Sequence, residues 1–335
     1  MPENALHSHR HVPVMLPEVL AALQPETGGI FIDGTFGAGG YSRGILQNPD
    51  AQVIAIDRDP SAIAGGQELV AASAGRLRLV HGKFGNLRDI CAAFGLEKVQ
   101  GIVLDIGVSS MQIDEAARGF SFMREGPLDM RMGQDGPSAR DYVNGLVAED
   151  LAQIIFILGE EPRSRAIAKA IVKSRNEAPI LTTLELVKAI EQATGPQRAT
   201  DRTHPATRTF QALRIHVNSE LDELGLALSS AEELLEEGGR LVVVTFHSLE
   251  DRIVKRFFAA RSGHVPLASR HAPVETAQAK GSFYLPHKGH VEASDIERLD
   301  NPRARSAKLR FGIRTSAPPF KLDLKSIAVP QLGKR

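Results

Sequence analysis

The chain has 335 residues, enough for one large domain or two modest ones. Its 42% hydrophobic and 24% charged content is globular, and 40 basic residues balance 40 acidic ones, which excludes any global electrostatic case for nucleic acid. The single cysteine, Cys91, excludes an internal disulfide and suits a reducing cytoplasm, while no apolar run nears the ~18 residues of a membrane span.

The first ten residues are polar and read as a frayed tail. His7, His9 and His11 alternate there, but no Cys or carboxylate cluster accompanies them, so no metal site is expected. Val12 to Leu23 leads into a helix with Pro17 in its first turn. Ile30, Phe31 and Ile32 then form the short apolar run of a buried parallel strand, which ends at Asp33. Gly34, Gly37, Gly39 and Gly40 follow, and Ser42 to Leu46 resumes a helical pattern. Strand, glycine turn and helix are the frame of a nucleotide site in a doubly wound α/β domain. An NAD fingerprint counted from Gly37 needs glycine at 42, where Ser42 stands, and a P-loop needs a Lys that is absent. An acid opening the loop suits a ligand with a cationic head. S-adenosylmethionine carries an ammonium and a sulfonium and no phosphate.

The second strand, Val53 to Ile56, ends in Asp57, about 20 residues beyond the glycine turn, where an acid binds a ribose diol. Asp59 reads as the N-cap of the next helix, with Pro60 at its first position. Leu77 to His81 is a third strand; beyond it Phe84 stacks on an adenine edge or serves as a core aromatic. Gly101 to Asp105 is the fourth. Three strand tips thus carry Asp (33, 57 and 105), and they line up at one sheet edge, outside the carboxyl ends of the strands.

Residues 119–141 form a long irregular stretch, too apolar for disorder, with Phe120, Phe122, Met123, Leu128, Met130 and Met132; it reads as a loop folded over the site. Asp141 to Ala193 reads as helical throughout. Arg165, Lys169 and Lys173 fall at i, i+4 and i+8, flanked by Arg163 and Arg175, with no acid from 163 to 175. That segment is a solvated face or a phosphate-binding stripe. Thr182 to Glu185 is a capping box. His204 to His216 opens a long helical run, with Leu213, Val217, Leu221, Leu224 and Leu228 as its core stripe and Arg208, Gln211, Arg214 and Asn218 off it. Arg240 to Phe246 is a fifth strand, so helical sequence from about 141 to 212 is an insertion between the fourth and fifth strands. Thr245 to Arg252 places His247, Ser248, Glu250 and Asp251 at that strand's tip; His247 is the functional candidate, and Asp251 caps or pairs with Arg252. Ser262 to Leu299 is polar and irregular, and alternation from Ser306 to Ile313 gives a last strand.

Nine stretches, in order across nearly the whole chain, resemble the bacterial RsmH (formerly MraW) family, the 16S ribosomal RNA cytosine N4-methyltransferases. They are His11–Glu18, Asp33–Gly40, Ala55–Pro60, Asp105–Ser110, Arg118–Arg124, Gly126–Met132, His204–Gln211, Phe246–Arg252 and Asn301–Ser306. The resemblance implies an α/β fold: a Rossmann-like S-adenosylmethionine-dependent methyltransferase sheet over residues 1–118 and 213–320, with an inserted loop and helical substrate-recognition domain over 119–212. Carried over by position, the cofactor contacts are Gly39, Gly40, Tyr41, Asp57, Phe84, Asp105 and Gln112, with Asp33 and Gly37 added from the loop itself. Many family members have His where Tyr41 stands, so a backbone contact survives there more readily than a side-chain role. The implied partner is 16S ribosomal RNA, within the small ribosomal subunit and in the cytoplasm, with a cytidine of the decoding region as substrate. Arg165, Lys169, Lys173, His204 and Arg208 are the RNA-contact candidates. The sequence does not choose between monomer and homodimer.

The exocyclic amine of cytosine has its lone pair delocalised into the ring. Methylation there needs alignment with the methyl donor and an acceptor for the amine proton. DNA amino-methyltransferases use a [DNS]-P-P-[YFW] loop after the fourth strand; here Asp105-Ile-Gly-Val-Ser-Ser stands in that place. Asp105 or a loop carbonyl takes the acceptor role, with Ser109, Ser110 and His247 as further candidates. Two rival classes are an NAD-dependent oxidoreductase, disfavoured by Ser42, and a non-enzymatic RNA-binding scaffold, which needs none of the three Asp tips.

Overall fold

The structure is a computed structural model and describes residues 13–197, 200, 203–263 and 280–333; the alternating histidines at 7, 9 and 11 lie outside them. The chain forms two compact units. One comprises residues up to Ile106 together with Ser229–Phe320, and the other Gly107–Leu228 together with the segment from Lys321 on. The divisions therefore fall at 106/107 and 228/229, where the sequence motifs point to 118/119 and 212/213. The chain leaves the sheet unit one residue past the fourth strand, and the second division lies inside a helix.

The sheet unit follows from its apolar runs. β1 (Gly29–Asp33), β2 (Ala51–Asp57), β3 (Leu77–His81), β4 (Val99–Asp105) and β5 (Leu235–Thr245) pair in parallel in the order β3-β2-β1-β4-β5. Their central residues, such as Val53 to Ile56, Ile102 to Leu104 and Leu241 to Val244, are buried as near-continuous apolar runs, the signature of a parallel sheet covered on both faces. β6 (Phe283–Tyr284), β7 (Val291–Glu292) and β8 (Lys308–Arg314) complete the sheet, with β8 antiparallel to β5. Of the stretch from Ser262 to Leu299, the described part from residue 280 on holds two short strands and the helix Asp295–Asp300, against an irregular reading; residues 264–279 lie outside the described residues. Strand order reverses between β1 and β4, so Asp33 and Asp105 end the two strands that flank the topological switch point.

Local chemistry sets the helix ends here. Asp59 caps the helix Pro60–Gly65 by accepting from the Ser61 N–H. Leu16–Leu23 starts with Pro in its first turn. A buried ionic cluster ties distant segments of the unit together. Glu232 is fully buried; it pairs with Arg261, accepts from the Ser282 hydroxyl (2.5 Å) and the Phe320 N–H (3.0 Å), and its carbonyl accepts from Arg314 Nε (2.8 Å). Arg261 lies 4.1 Å over the Phe257 ring.

The helical unit is built from helices Ala139–Gly145, Ala148–Gly159, Ser164–Glu177, Thr183–Thr194 and Thr207–Asn218. The stretch from Asp141 to Ala193 is therefore interrupted, against expectation. Glu160 turns left-handed (φ 49) and Pro162 follows, which stops one helix, and a capping box at Thr182 starts a later one. The irregular segment after Gly119 is part of this unit's own core: Leu128 and Met130 are buried, and Phe120 and Phe122 pack on the same cluster. Its backbone pairs with the next helices through Leu128 N–H to the Leu181 carbonyl (2.9 Å). These contacts account for its apolar content. The segment from Lys321 also joins this unit, with Leu324 and Val329 set against Gly225.

Glu232→Ala should lower stability by about 3–5 kcal/mol, because it strands a buried guanidinium. The midpoint of urea unfolding, followed by far-UV circular dichroism, measures it; an unchanged midpoint would show that Arg261 finds another partner.

Candidate functional site

The carboxyl ends of β1, β2 and β4 meet the glycine turn. Gly34 N–H donates to the Val103 carbonyl (3.0 Å), Phe36 N–H to the Ile56 carbonyl (2.9 Å), and the Asp105 N–H to the Thr35 hydroxyl (2.7 Å). The turn is thus stitched to both neighbouring strands. Gly37 is left-handed (φ 52) and has open space where a Cβ would sit, so a ligand can approach its backbone. Gly39 and Gly40 are required by the protein itself: a Cβ would lie 2.8 Å from the Phe36 ring and 2.1 Å from Pro13 Cγ.

The three acids are compensated unequally. Asp33 is fully buried and accepts from the Thr35 N–H (3.2 Å), the Ser42 N–H (3.1 Å) and the Ser42 hydroxyl (2.7 Å). Burial still pushes its pKa up to about 6, with the Ser42 and Thr35 hydrogen bonds working against the rise. It clamps the turn onto the helix Gly40–Ile45 and leaves no exposed surface for a ligand. Asp57 accepts from the Gly37 N–H (2.8 Å) and the Asp59 N–H (2.8 Å), and burial raises its pKa too. It keeps partial exposure at the strand tip, where a ribose diol would lie. Asp105 differs. Its Oδ1 is out of solvent and has no hydrogen-bond partner. Burial first, and then the like charges of Asp33 and Glu250, push its pKa up to about 8. The Tyr41 side chain is itself buried, and its hydroxyl donates to the Val14 carbonyl (2.5 Å).

The sequence pattern brings His247 to Asp105 from the fifth strand; the structure gives it a local duty instead. It is the N-cap of the helix Ser248–Arg261: Nδ1 accepts from the Glu250 N–H (3.5 Å), and Glu250 accepts in return from the Phe246 and His247 N–H groups (2.8 and 3.1 Å). Its Nε2 lies 2.9 Å from Glu250 Oε1. Neither atom makes a hydrogen bond. The group from this segment whose charge Asp105 feels is Glu250, which is fully buried. Sequence reasoning passes over Glu250; the H-x-x-E capping spacing is its available signal. Asp251 pairs with Arg310 (2.8 Å) and Lys308 (3.5 Å) of β8 rather than with the adjacent Arg252. Phe84 is half-buried, its Cβ 3.4 Å from where a Gly34 Cβ would sit, and so stands beside the turn.

In the helical unit, Ser109 caps the helix Ser110–Asp114 and forms a capping box with Gln112, so Ser109 and the Gln112 amide are engaged locally. His204 accepts from the Ala206 N–H at Nδ1 (3.1 Å) and packs on Phe122 with ring centroids 4.8 Å apart. Arg208 is exposed and donates to the Glu160 carbonyl (3.2 Å). Of the five basic residues from 163 to 175, two hold the fold: Arg163 donates to the Thr194 carbonyl (3.1 Å) and Arg175 to the Val143 carbonyl (2.6 Å). Arg165, Lys169 and Lys173 are exposed on one face with no ion pair among the described residues.

The turn and strand tips fit a zwitterionic nucleoside. Acids stand at the tips of β1, β2 and β4, the turn carries no basic side chain to bind phosphate, and one buried carboxyl oxygen is unpartnered. Among the described residues no group of His, Cys, Asp and Glu could hold a metal ion, and no helix is long and apolar enough to cross a membrane.

Residues 8–314 match the family model described as the MraW methylase family. The chain is 58% identical over 310 residues to Ribosomal RNA small subunit methyltransferase H of Methylorubrum extorquens, covering 92% of this chain and 88% of that one. It is 59% identical over 312 residues to the protein of that name from a Methylobacterium species, covering 92% of each. With the corresponding protein of Parvibaculum lavamentivorans it shares 54% over 325 residues, 96% of this chain and 95% of that one.

Asp105 carries a pH signature. Its folded pKa of about 8 stands above the ordinary 3.8, so the stability it contributes is present at low pH and is lost as pH rises between those values. Asp105→Asn removes that loss. The stability of the ligand-free variant relative to the parent should therefore grow from about pH 5 to about pH 8.5, as read by thermal unfolding. A difference flat with pH would mean that Asp105 folds ionised.

Proposed function

The chain belongs to the MraW methylase family and is an S-adenosylmethionine-dependent methyltransferase of small-subunit ribosomal RNA; we propose that the atom it methylates is N4 of a cytidine in the decoding region of the 16S molecule. The observation that carries the atom is the unpartnered, buried Oδ1 of Asp105 at the switch point. An exocyclic amine presents N–H donors to such an oxygen; a ring carbon does not.

S-adenosylmethionine supplies an electrophilic methyl on a sulfonium. The residues of the chain do the rest. Gly37 offers its backbone and Asp57 accepts from the ribose hydroxyls, with Gly39, Gly40 and Tyr41 shaping the turn and Phe84 beside the adenine position. Asp105 accepts one amine N–H, which orients the nitrogen lone pair away from the ring plane. On receiving a methyl group the amine nitrogen would have to lose one proton, and Asp105 would accept it. A base with a pKa near the working pH is suited to that task. Burial, and then the charges of Asp33 and Glu250, keep it there. His247 holds the segment that carries Glu250.

The helical unit is the RNA-recognition part of this reading, acting in the cytoplasm on RNA of the small ribosomal subunit. Arg165, Lys169 and Lys173 are the phosphate contacts, since they project from one face without internal partners among the described residues. His204 and Arg208 hold the helix beside them, and Ser109, Ser110 and Gln112 follow the catalytic strand.

Nucleoside mass spectrometry of 16S RNA from a strain lacking the gene tests the target. N4-methylated cytidine should fall, and restoring the gene should restore it; an unaltered N4-methylcytidine content overturns the assignment. Replacing Arg165, Lys169 and Lys173 together by Ala should reduce the log–log salt slope of RNA binding by up to about three, one for each phosphate no longer neutralised. Cofactor affinity by calorimetry should not move, and an unchanged slope would mean that RNA docks on another face.

A further inference from the structure

The helical unit contains a cavity of about 280 Å³, lined by none of the residues assigned to methyl transfer or to the basic stripe. It lies at the corner where the helix Thr207–Asn218 turns into the helix Glu220–Leu234. Ser219 makes that turn in the left-handed conformation (φ 52). His216, Ser219 and Asp222 therefore arrive at one wall from both sides of the corner. Leu158 forms part of the apolar lining, and Gln331, from the C-terminal segment, stands at the rim. The Tyr142 and His216 rings meet edge to face, with centroids 4.5 Å apart and planes at 62°.

The polar groups here converge without being used. Among the described residues, the side chains of Tyr142, His216, Ser219 and Asp222 make no hydrogen bond or ion pair. Polar groups withdrawn from solvent are ordinarily paired, and Tyr142 and His216 are half-buried. A small cavity with an aromatic wall and several unpaired polar groups has the makeup of a ligand site. Ligand pockets run from about 300 Å³ upwards, so this one suits a single flat ring system.

Its chemistry narrows the occupant. No Lys or Arg lines the cavity and one carboxylate does, so it does not suit a phosphate. An aromatic wall and an edge of hydrogen-bonding groups are how proteins hold an unstacked base of single-stranded RNA. An ionised carboxylate only accepts, and guanine alone among the four bases presents two adjacent donor groups, at N1 and N2. Burial lowers the pKa of His216, so its ring resists carrying charge until a partner arrives.

We propose that this cavity receives one extruded guanine of the RNA substrate, with its ring against Tyr142 and His216 and its N1 and N2 donors on Asp222. The proposal rests on the reading that the substrate is RNA. It adds a contact away from the methyl-transfer chemistry that fixes register along the strand, as phosphate contacts alone cannot.

Equilibrium dialysis with guanosine tests the cavity directly, with S-adenosylhomocysteine saturating so that the cofactor site takes no part. The protein should bind guanosine saturably and adenosine more weakly. Asp222→Asn, at an exposed position that tolerates the change, should weaken guanosine about tenfold, and Tyr142→Ala should weaken both nucleosides. Absence of saturable binding, or guanosine affinity indifferent to Asp222→Asn, overturns the proposal. With RNA, Asp222→Asn should raise KM while leaving kcat and cofactor affinity as they were; an unchanged KM also overturns it. A protein that binds guanosine in this way but methylates no ribosomal RNA would instead overturn the RNA reading and leave the cavity assigned.

Discussion

The structure depends on placing carboxylates out of water at one sheet edge. Each buried charge is costly unless hydrogen bonds replace its hydration. Asp33 and Asp57 obtain that replacement from the glycine turn, through the N–H groups of Thr35, Ser42 and Gly37. The turn is therefore held by the acids as much as by its neighbours in the sheet. Gly37 can aim its N–H at Asp57 because a left-handed φ costs glycine little. Asp33, once compensated, still adds a negative field that Asp105 has to bear.

Asp105 is where the compensation stops. Its neighbours are Asp33 and Glu250, both fully buried, and its Oδ1 has no donor. A polar network left incomplete in a low-dielectric setting is unstable by itself and strong towards the right ligand. The preorganised acceptor needs no rearrangement when a donor arrives, which is the general source of electrostatic catalysis. Glu250 reaches its position because the capping box with His247 fixes it there. A helix cap thereby adds, after burial and Asp33, to the rise in the pKa of a group on a different strand. His247 caps the helix that carries Glu250, so a polar cluster at a strand tip also serves the local chemistry of a helix start.

The parallel strands are legible in the sequence because each is an apolar run with an acid or a turn at its end. The tips at Asp33, Asp57 and Asp105 and the Asp59 cap need only local chemistry. What is not legible depends on long-range packing. Residues after Gly119 are apolar without periodicity, and only the folded chain shows that Leu128 and Met130 complete a helical core assembled from distant segments. The helix break near Glu160 is hidden by apolar spacing that continues across it, whereas the start at Thr182 is announced by its capping box. Glu250 escapes notice because its neighbour His247 has the more familiar chemistry, and burial, which distinguishes the two, is not a local property. The segment from Lys321 carries no motif, so its place in the helical unit can be read only from contacts.

The basic segment shows the same limit in electrostatic form. Five cations between 163 and 175 suggest one stripe, but charge in a sequence is not charge on a surface. Arg163 and Arg175 commit donors to the Thr194 and Val143 carbonyls, where they close helix ends, and Arg163 also neighbours the carboxylate of Glu161. Arg165, Lys169 and Lys173 remain, one helical turn apart on a face whose opposite side is filled by Ile167 and Ile171. Solvent screens exposed charges beyond about 8–10 Å at physiological salt, so a neutral chain can still present a local positive field. The helix thus joins its two requirements on opposite faces: burial fixes its rotation, and that rotation leaves three cations pointing outward together.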